Sequence, residues 1–298
     1  MSVYDELLVG AIDVHCHVDF ELGYEHLRKI APEWEWLPQA ETMGMRGVVL
    51  KSHWWPTGQD VYYLRQLYQG AVEVVPSAAL NLVAGGPSLW AVEAAAEMGC
   101  RVIHLPTWSS AADVAAGGMS RRLSGLLRTL RPEELPAVSF VHPDGGDRLD
   151  DVGAGLLRLC KELDLTLATG HIAWQETLLF AAEAKRIGFD RLLFTHPLSH
   201  GVAAPMEAVE TAVAAGAFVE LPWTTIAPGR RSGAEAVEWA RAVGLERIVA
   251  STDYFRGGAP PPPLLFRFHL GELYDGGLTP EEVSLVASTN PARLLGWE

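Results

Sequence analysis

Two histidines one residue apart, His15 and His17, close an apolar run that includes Ala11, Ile12 and Val14. In an extended strand, residues i and i+2 share a face, so the two imidazoles project together. Imidazole nitrogens suit Zn²⁺ and other first-row divalent ions, and the pair is half of a metal site. Side chains of matching chemistry end other apolar runs. Lys51-Ser52-His53 is one such end, Thr169-Gly170-His171 a second, Thr195-His196-Pro197 a third and Ser251-Thr252-Asp253 a fourth. Cys16, between the two histidines, falls on the opposite face and is not expected to be a ligand.

These groups need a scaffold that brings strand ends together. The apolar runs predict eight strands, at 11–17, 47–51, 72–79, 101–105, 165–171, 191–196, 217–221 and 247–253. A ninth run, 137–142, reads as a short extra strand inside an insertion. Helical patterns lie between most of them, at 60–68, 89–98, 153–163, 174–187, 205–215 and 233–243. Several stop at a glycine (Gly44, Gly99, Gly188, Gly216, Gly244), the residue a helix C-terminus favours. Strands alternating with helices mean parallel βαβ units, and eight of them predict an α/β fold of the (β/α)8 TIM-barrel type. An open doubly wound sheet is the competing architecture, but the glycine-rich phosphate fingerprint after the first strand is missing. No domain boundary is visible, so residues 1–298 are expected to form a single domain. The run Gly257-Gly258-Ala259-Pro260-Pro261-Pro262-Pro263 reads as a stiff loop after the last strand, over the barrel mouth. In such barrels the chemistry sits at the C-terminal ends of the strands.

This ordered set resembles the amidohydrolase superfamily of metal-dependent hydrolases. The resemblance spans nearly the whole chain: His-x-His on strand one, histidines ending strands five and six, Asp253 ending strand eight, and the terminal Ser288-Thr289-Asn290-Pro291-Ala292-Arg293-Leu294-Leu295-Gly296. It implies a deformed (β/α)8 barrel holding one or two divalent ions. It implies that His15, His17, His171 and His196 are ligands or near-ligands, and that Asp253 is both ligand and proton shuttle. Zn²⁺ is the expected ion, with Mn²⁺ or Fe²⁺ as alternatives. Many family members bridge two metals with a carboxylated lysine or a glutamate ending strand four. Here that strand reads Arg101-Val102-Ile103-His104-Leu105-Pro106-Thr107 and has neither at its end. Lys51 is the residue left to bridge, as a carbamate. Its plainer roles are a cation for a substrate carboxylate or for a developing oxyanion. A single-metal site, with His196 polarising the substrate, is the other arrangement.

The chain has 298 residues, 49% hydrophobic and 20% charged, enough for a large buried core. A net charge of −14 and a pI near 5.1 argue against nucleic acid as a partner, because phosphate binding needs a basic surface. Three unpaired-looking cysteines, Cys16, Cys100 and Cys160, and a start without a basic and apolar leader point to the cytoplasm. No apolar stretch is long enough to span a membrane. Only four of the 23 basic residues are lysines (Lys29, Lys51, Lys161, Lys185), which sets Lys51 apart at the end of its apolar run.

Five tryptophans, Trp54, Trp55, Trp108, Trp174 and Trp223, follow strand ends and could line an apolar or ring-shaped substrate pocket. Arg230, Arg231 and Arg256 sit in the last loops, where a solvated surface is the commoner fate of arginine. His104 is expected to line the barrel, and His26, His142, His200 and His269 to be structural or surface groups. His53 reads as a pocket or surface-loop residue. The expected function is metal-dependent hydrolysis of an amide, cyclic amide, ester or lactone of a small molecule, with Asp253, His196 and Lys51 as the catalytic groups. Non-oxidative decarboxylation of an aromatic acid and a non-catalytic metal- or ligand-binding barrel are the alternatives. A homo-oligomer is compatible with the sequence.

Overall fold

In a computed structural model, residues 2–19, 21, 32–118, 121, 129, 137–227, 229–255 and 259–297 are described. His26, Lys29, Arg256, Gly257 and Gly258 lie outside the described residues. The eight strands are β1 Ile12–His17, β2 Gly47–Lys51, β3 Glu73–Ala79, β4 Val102–His104, β5 Thr166–Ala168, β6 Leu192–Phe194, β7 Phe218–Pro222 and β8 Ile248–Ser251. They belong to one sheet in the order β1-β2-β3-β4-β5-β6-β7-β8, and its pairings from β1 to β7 are parallel. Helices alternate with the strands, which is the (β/α)8 class. Apart from Glu73 at the start of β3, every strand residue is buried, as expected where helices cover parallel strands.

The chain divides into two compact units. The first comprises residues 1–52, 57–76 and 220–298. It holds β1, β2, β8, the start of β3 and the end of β7. Around them lie α1 (Val3–Glu6), α2 (Glu33–Thr42), α3 (Gly58–Leu67), α9 (Gly233–Val243), α10 (Pro262–Asp275), α11 (Pro280–Ser284) and α12 (Asn290–Leu295). Ile12 pairs with Gly47 and His17 with Lys51, so the ends of β1 and β2 are level. β8 packs on β1, and the His17 backbone N–H donates to the Tyr254 carbonyl at 3.1 Å. Leu8, Ile12, Leu37, Leu50, Phe266 and Leu294 are fully buried in its core.

The second unit comprises residues 53–56 and 77–219. It holds the rest of β3, then β4, β5, β6 and the start of β7. Its helices include α4 (Leu89–Glu97), α5 (Ala111–Ala116), α6 (Asp151–Glu162), α7 (Trp174–Ile187) and α8 (Met206–Ala214). Ala79 pairs with His104 and His104 with Ala168, which aligns the ends of β3, β4 and β5. Phe140 and Phe180 meet edge-on at 5.3 Å in its core.

The ninth run is not a strand. It makes two isolated bridges, Val138 to Ser110 and Val141 to Leu149, because Pro143 and Gly145-Gly146 turn the chain before a ladder can extend. The proline run is also shorter as a loop than expected: Pro262 and Pro263 begin α10, where a missing N–H costs nothing. Among the described residues no cysteine is in a disulfide, and no helix is long and apolar enough to cross a membrane.

Candidate metal centre

His15 and His17 stay within β1, and Lys51 ends β2 beside them. The two imidazole rings lie 5.2 Å apart. Both present Nε2 to the same atom, Asp253 Oδ1, at 3.3 Å from His15 and 3.5 Å from His17. These three donors lie within 4.8 Å of one another. The other nitrogen of each ring faces a buried carboxylate. His15 Nδ1 donates to Glu220 Oε1 at 2.7 Å, and His17 Nδ1 lies 3.2 Å from Glu21 Oε1, close but off the line of a hydrogen bond. A carboxylate on Nδ1 keeps its proton there and leaves Nε2 as a lone-pair donor, the arrangement of metal-ligating histidines. The donor set therefore fits a divalent ion.

Asp253 is delivered by an unusual backbone. It takes φ +47, in the left-handed region, two residues after β8 ends. Asp13 braces this turn. Its buried carboxylate accepts from the Thr252 backbone N–H at 3.0 Å, the Thr252 hydroxyl at 2.6 Å and the His15 N–H at 3.2 Å. A strained conformation persists where surrounding contacts over-determine it. The Thr224 hydroxyl donates to Asp253 Oδ2 at 3.1 Å, fixing the carboxylate plane.

The electrostatics of this cluster are set by burial. Desolvation pushes Asp253 up to about 7, with the Glu220 charge adding and Lys51 opposing, although a fifth of its side chain remains exposed. Burial likewise carries Asp13 to about 7 against its three hydrogen bonds. Lys51 is fully buried, and desolvation lowers its pKa against the attraction of Asp253, Glu220 and Glu21. Its Nζ lies 3.0 Å from His15 Nε2, on the one lone pair that an ion would use, so the ammonium and an ion would compete for that atom. Glu220 is the centre of this network, since its Oε1 also accepts from the Ser251 hydroxyl at 2.7 Å.

The second unit gathers the other expected residues. His171 and His196 face each other edge-on at 4.9 Å, and His53 lies 6.2 Å from His171. His171 Nδ1 contacts Asp113 Oδ1 at 2.9 Å, and His196 Nδ1 contacts the Ser199 hydroxyl at 3.1 Å. His53 is buried rather than on a surface loop, its Nδ1 2.9 Å from the Thr107 hydroxyl. Asn81 ties this corner together, with its amide donating to Thr107 Oγ1 and the His53 carbonyl and its oxygen accepting from Thr107 and Ser109. His104 is buried at the end of β4.

Among the remaining residues, Arg230 and Arg231 are exposed. Trp108 is buried against Trp54 at 5.9 Å, whereas Trp55 is 62% exposed. His269 is buried and structural, contacting the Leu221 carbonyl at 2.9 Å, and His200 is exposed. Glu220, Asp13 and Asp113 were not among the expected site residues. A signal for Glu220 was present, since a carboxylate inside Phe218-Val219-Glu220-Leu221 cannot be buried without partners.

The architecture is that of solved amidohydrolase-type barrels. An amidohydrolase from Pseudomonas aeruginosa superposes with a TM-score of 0.66 at 13% identity, over 99% of this chain and 98% of that one. An organophosphorus hydrolase from Deinococcus radiodurans gives 0.56 at 16% identity, over 98% and 94%. A dihydroorotase gives 0.53 at 13% identity, over 97% of this chain and 70% of that one. At these identities the likeness is one of fold. The comparison with curated proteins returned no match. Residues 10–220 match the model described as "Family of unknown function (DUF6282)", and the chain belongs to that family.

Proposed function

We propose that this protein is a metal-dependent hydrolase that opens an amide, cyclic amide, ester or lactone bond in a small molecule. The observation that carries the reading is the convergence of two Nε2 atoms on one carboxylate oxygen, with a buried carboxylate behind each ring. His15, His17 and Asp253 would hold the ion, with Zn²⁺ the preferred occupant and Mn²⁺ or Fe²⁺ the alternatives. A divalent ion there supplies Lewis acidity, lowering the pKa of water and polarising an acyl oxygen.

The protein's own groups divide the remaining work. Asp253 takes a proton from the attacking water and returns it to the leaving group. Oδ2 is the atom for that proton, because Oδ1 faces the imidazoles and the Thr224 hydroxyl can reverse from donor to acceptor. Lys51 presents an ammonium for a developing oxyanion or a substrate carboxylate. Glu220 and Asp13 hold His15 and Asp253 in place. For His171 and His196 the ligand or polarising role rests on the family pattern in the sequence.

The test combines metal analysis with turnover. The purified chain should retain at least about one equivalent of transition metal. Chelation should abolish hydrolysis across a panel of lactones, hydantoins and dipeptides, and metal should restore it. Asp253→Asn should lose about 10²–10⁴-fold in kcat while keeping its fold. A chain that neither binds nor responds to metal would overturn the proposal. Release of CO2 from an aromatic acid without water uptake would replace hydrolysis with decarboxylation.

A further inference from the structure

We infer that Asp113 is the positioning residue of His171, and that position 118 must be glycine to leave room for its carboxylate. The inference rests on the proposed ligand role of His171. It deepens that reading by naming a group that the family pattern does not supply.

The geometry begins at the end of β5. His171 follows Thr169-Gly170, and its backbone N–H donates to the Pro106 carbonyl at 3.1 Å. Its carbonyl accepts from the Ser110 hydroxyl at 2.7 Å. Ser110 is also the N-cap of α5, where its oxygen accepts the Asp113 N–H at 3.1 Å. One serine thus ties the backbone of His171 to that of Asp113. The side chains meet on the same footing, with Nδ1 and Oδ1 2.9 Å apart. Asp113 keeps 3% of its side-chain surface and His171 keeps 14%. A carboxylate only accepts, so the imidazole proton is held on Nδ1 and Nε2 becomes the donor atom.

Gly118 supplies an independent observation. A Cβ there would lie 2.6 Å from Asp113 Oδ1, 3.0 Å from Cγ and 3.2 Å from Oδ2. Gly118 does not need a left-handed backbone; its neighbour Gly117 does, at φ +61. The space at 118 is therefore used by the Asp113 carboxylate. That carboxylate is packed on one side by Gly118 and directed on the other at His171. A carboxylate with only a solvated role would need neither feature.

The experiment uses the full-length, metal-free chain with ¹⁵N-labelled histidine. Imidazole ¹⁵N shifts should place the His171 proton on Nδ1. Asp113→Ala should move it to Nε2 or to a tautomer mixture. Asp113→Asn, which keeps an acceptor oxygen and the side-chain shape, should retain part of the Nδ1 population. Gly118→Ala should act like a milder Asp113→Ala although Asp113 is still present. Zn²⁺ titration should show the affinity falling by about tenfold or more in Asp113→Ala. An unchanged His171 tautomer in Asp113→Ala, with the melting curve showing a folded chain, overturns the inference. A changed tautomer with unchanged Zn²⁺ affinity upholds the positioning role and overturns the ligand role of His171.

Discussion

At the residue scale, the recurring device is an imidazole fixed by its Nδ1. His15 has Glu220, His171 has Asp113 and His196 has Ser199, while Glu21 approaches His17 less directly. A rotating ring with two tautomers is a poor ligand; a ring held at one nitrogen presents the other with a fixed direction and a fixed lone pair. Glu220 is the most exacting of these partners because it serves both His15 and Ser251. Glu220→Gln keeps the shape but replaces an acceptor-only group with one that also donates. Metal affinity should fall about 10–100-fold, measured by titrating the metal-free variant. An unchanged affinity would mean that Glu220 serves only the packing of β7 against β8. His15 and His17 were legible in the sequence because period-two spacing at the end of an apolar run is local information. Glu220 was less so. Nothing local says which strand a buried carboxylate in β7 will face.

At the element scale, the strands end earlier than the apolar runs do. The sequence predicts extended chain to His171, His196 and Asp253, but β5 stops at Ala168, β6 at Phe194 and β8 at Ser251. The reason is the backbone just beyond. Gly170 takes φ +60, His196 +26 and Asp253 +47, and none of these can continue a pleated ladder. The candidate side chains are therefore placed by turns held from neighbouring strands. Gly170 shows how tightly. A Cβ there would lie 2.3 Å from the Leu105 carbonyl oxygen and 2.9 Å from that of Pro106. Those atoms are backbone and cannot swing aside. Gly170→Ala should cost roughly 2 kcal/mol or more, combining a positive φ with this overlap, as read by urea denaturation. A cost near zero would show that the loop can relax away from β4. The ninth run and the proline run follow the same lesson. Composition marked them, but turn residues and helix-start preference decided what they became.

At the scale of the whole molecule, one tie between stability and pH is a buried histidine that is not among the candidate ligands. His269, within α10, is held down to about 4 by burial, with its contact to the Leu221 carbonyl opposing. Unfolding releases it to its ordinary value near 6.5. Between those values the unfolded chain binds the extra proton, so the contribution of His269 rises with pH, while Asp13 and Asp253, raised to about 7, contribute with the opposite sign over the same range. The contribution is full above about 6.5 and is lost as the pH falls towards about 4, amounting to about 3 kcal/mol. Unfolding free energies from urea denaturation near pH 8 and near pH 4.5 should differ by up to about this amount more in the wild type than in a variant without the histidine. His269→Gln, which keeps a donor for the Leu221 carbonyl but does not titrate, should remove that part of the slope. An identical slope in both proteins would assign the acid sensitivity elsewhere.

The sequence by itself determined the fold class and the residue types of the candidate site. Eight apolar runs alternating with amphipathic ones leave few architectures that bury both, and paired imidazoles with a strand-end carboxylate leave few chemistries beyond metal binding. Periodicity and residue type are local properties, and both survive without coordinates. What only the tertiary structure decided is partnership. That Asp13 braces Thr252, that Glu220 reaches His15 across more than 200 residues of chain, and that Asp113 rather than a strand-end residue holds His171 are facts of distance. Long-range hydrogen bonds leave no spacing rule in a single sequence, because the intervening chain can be of any length once the strands have set the ends.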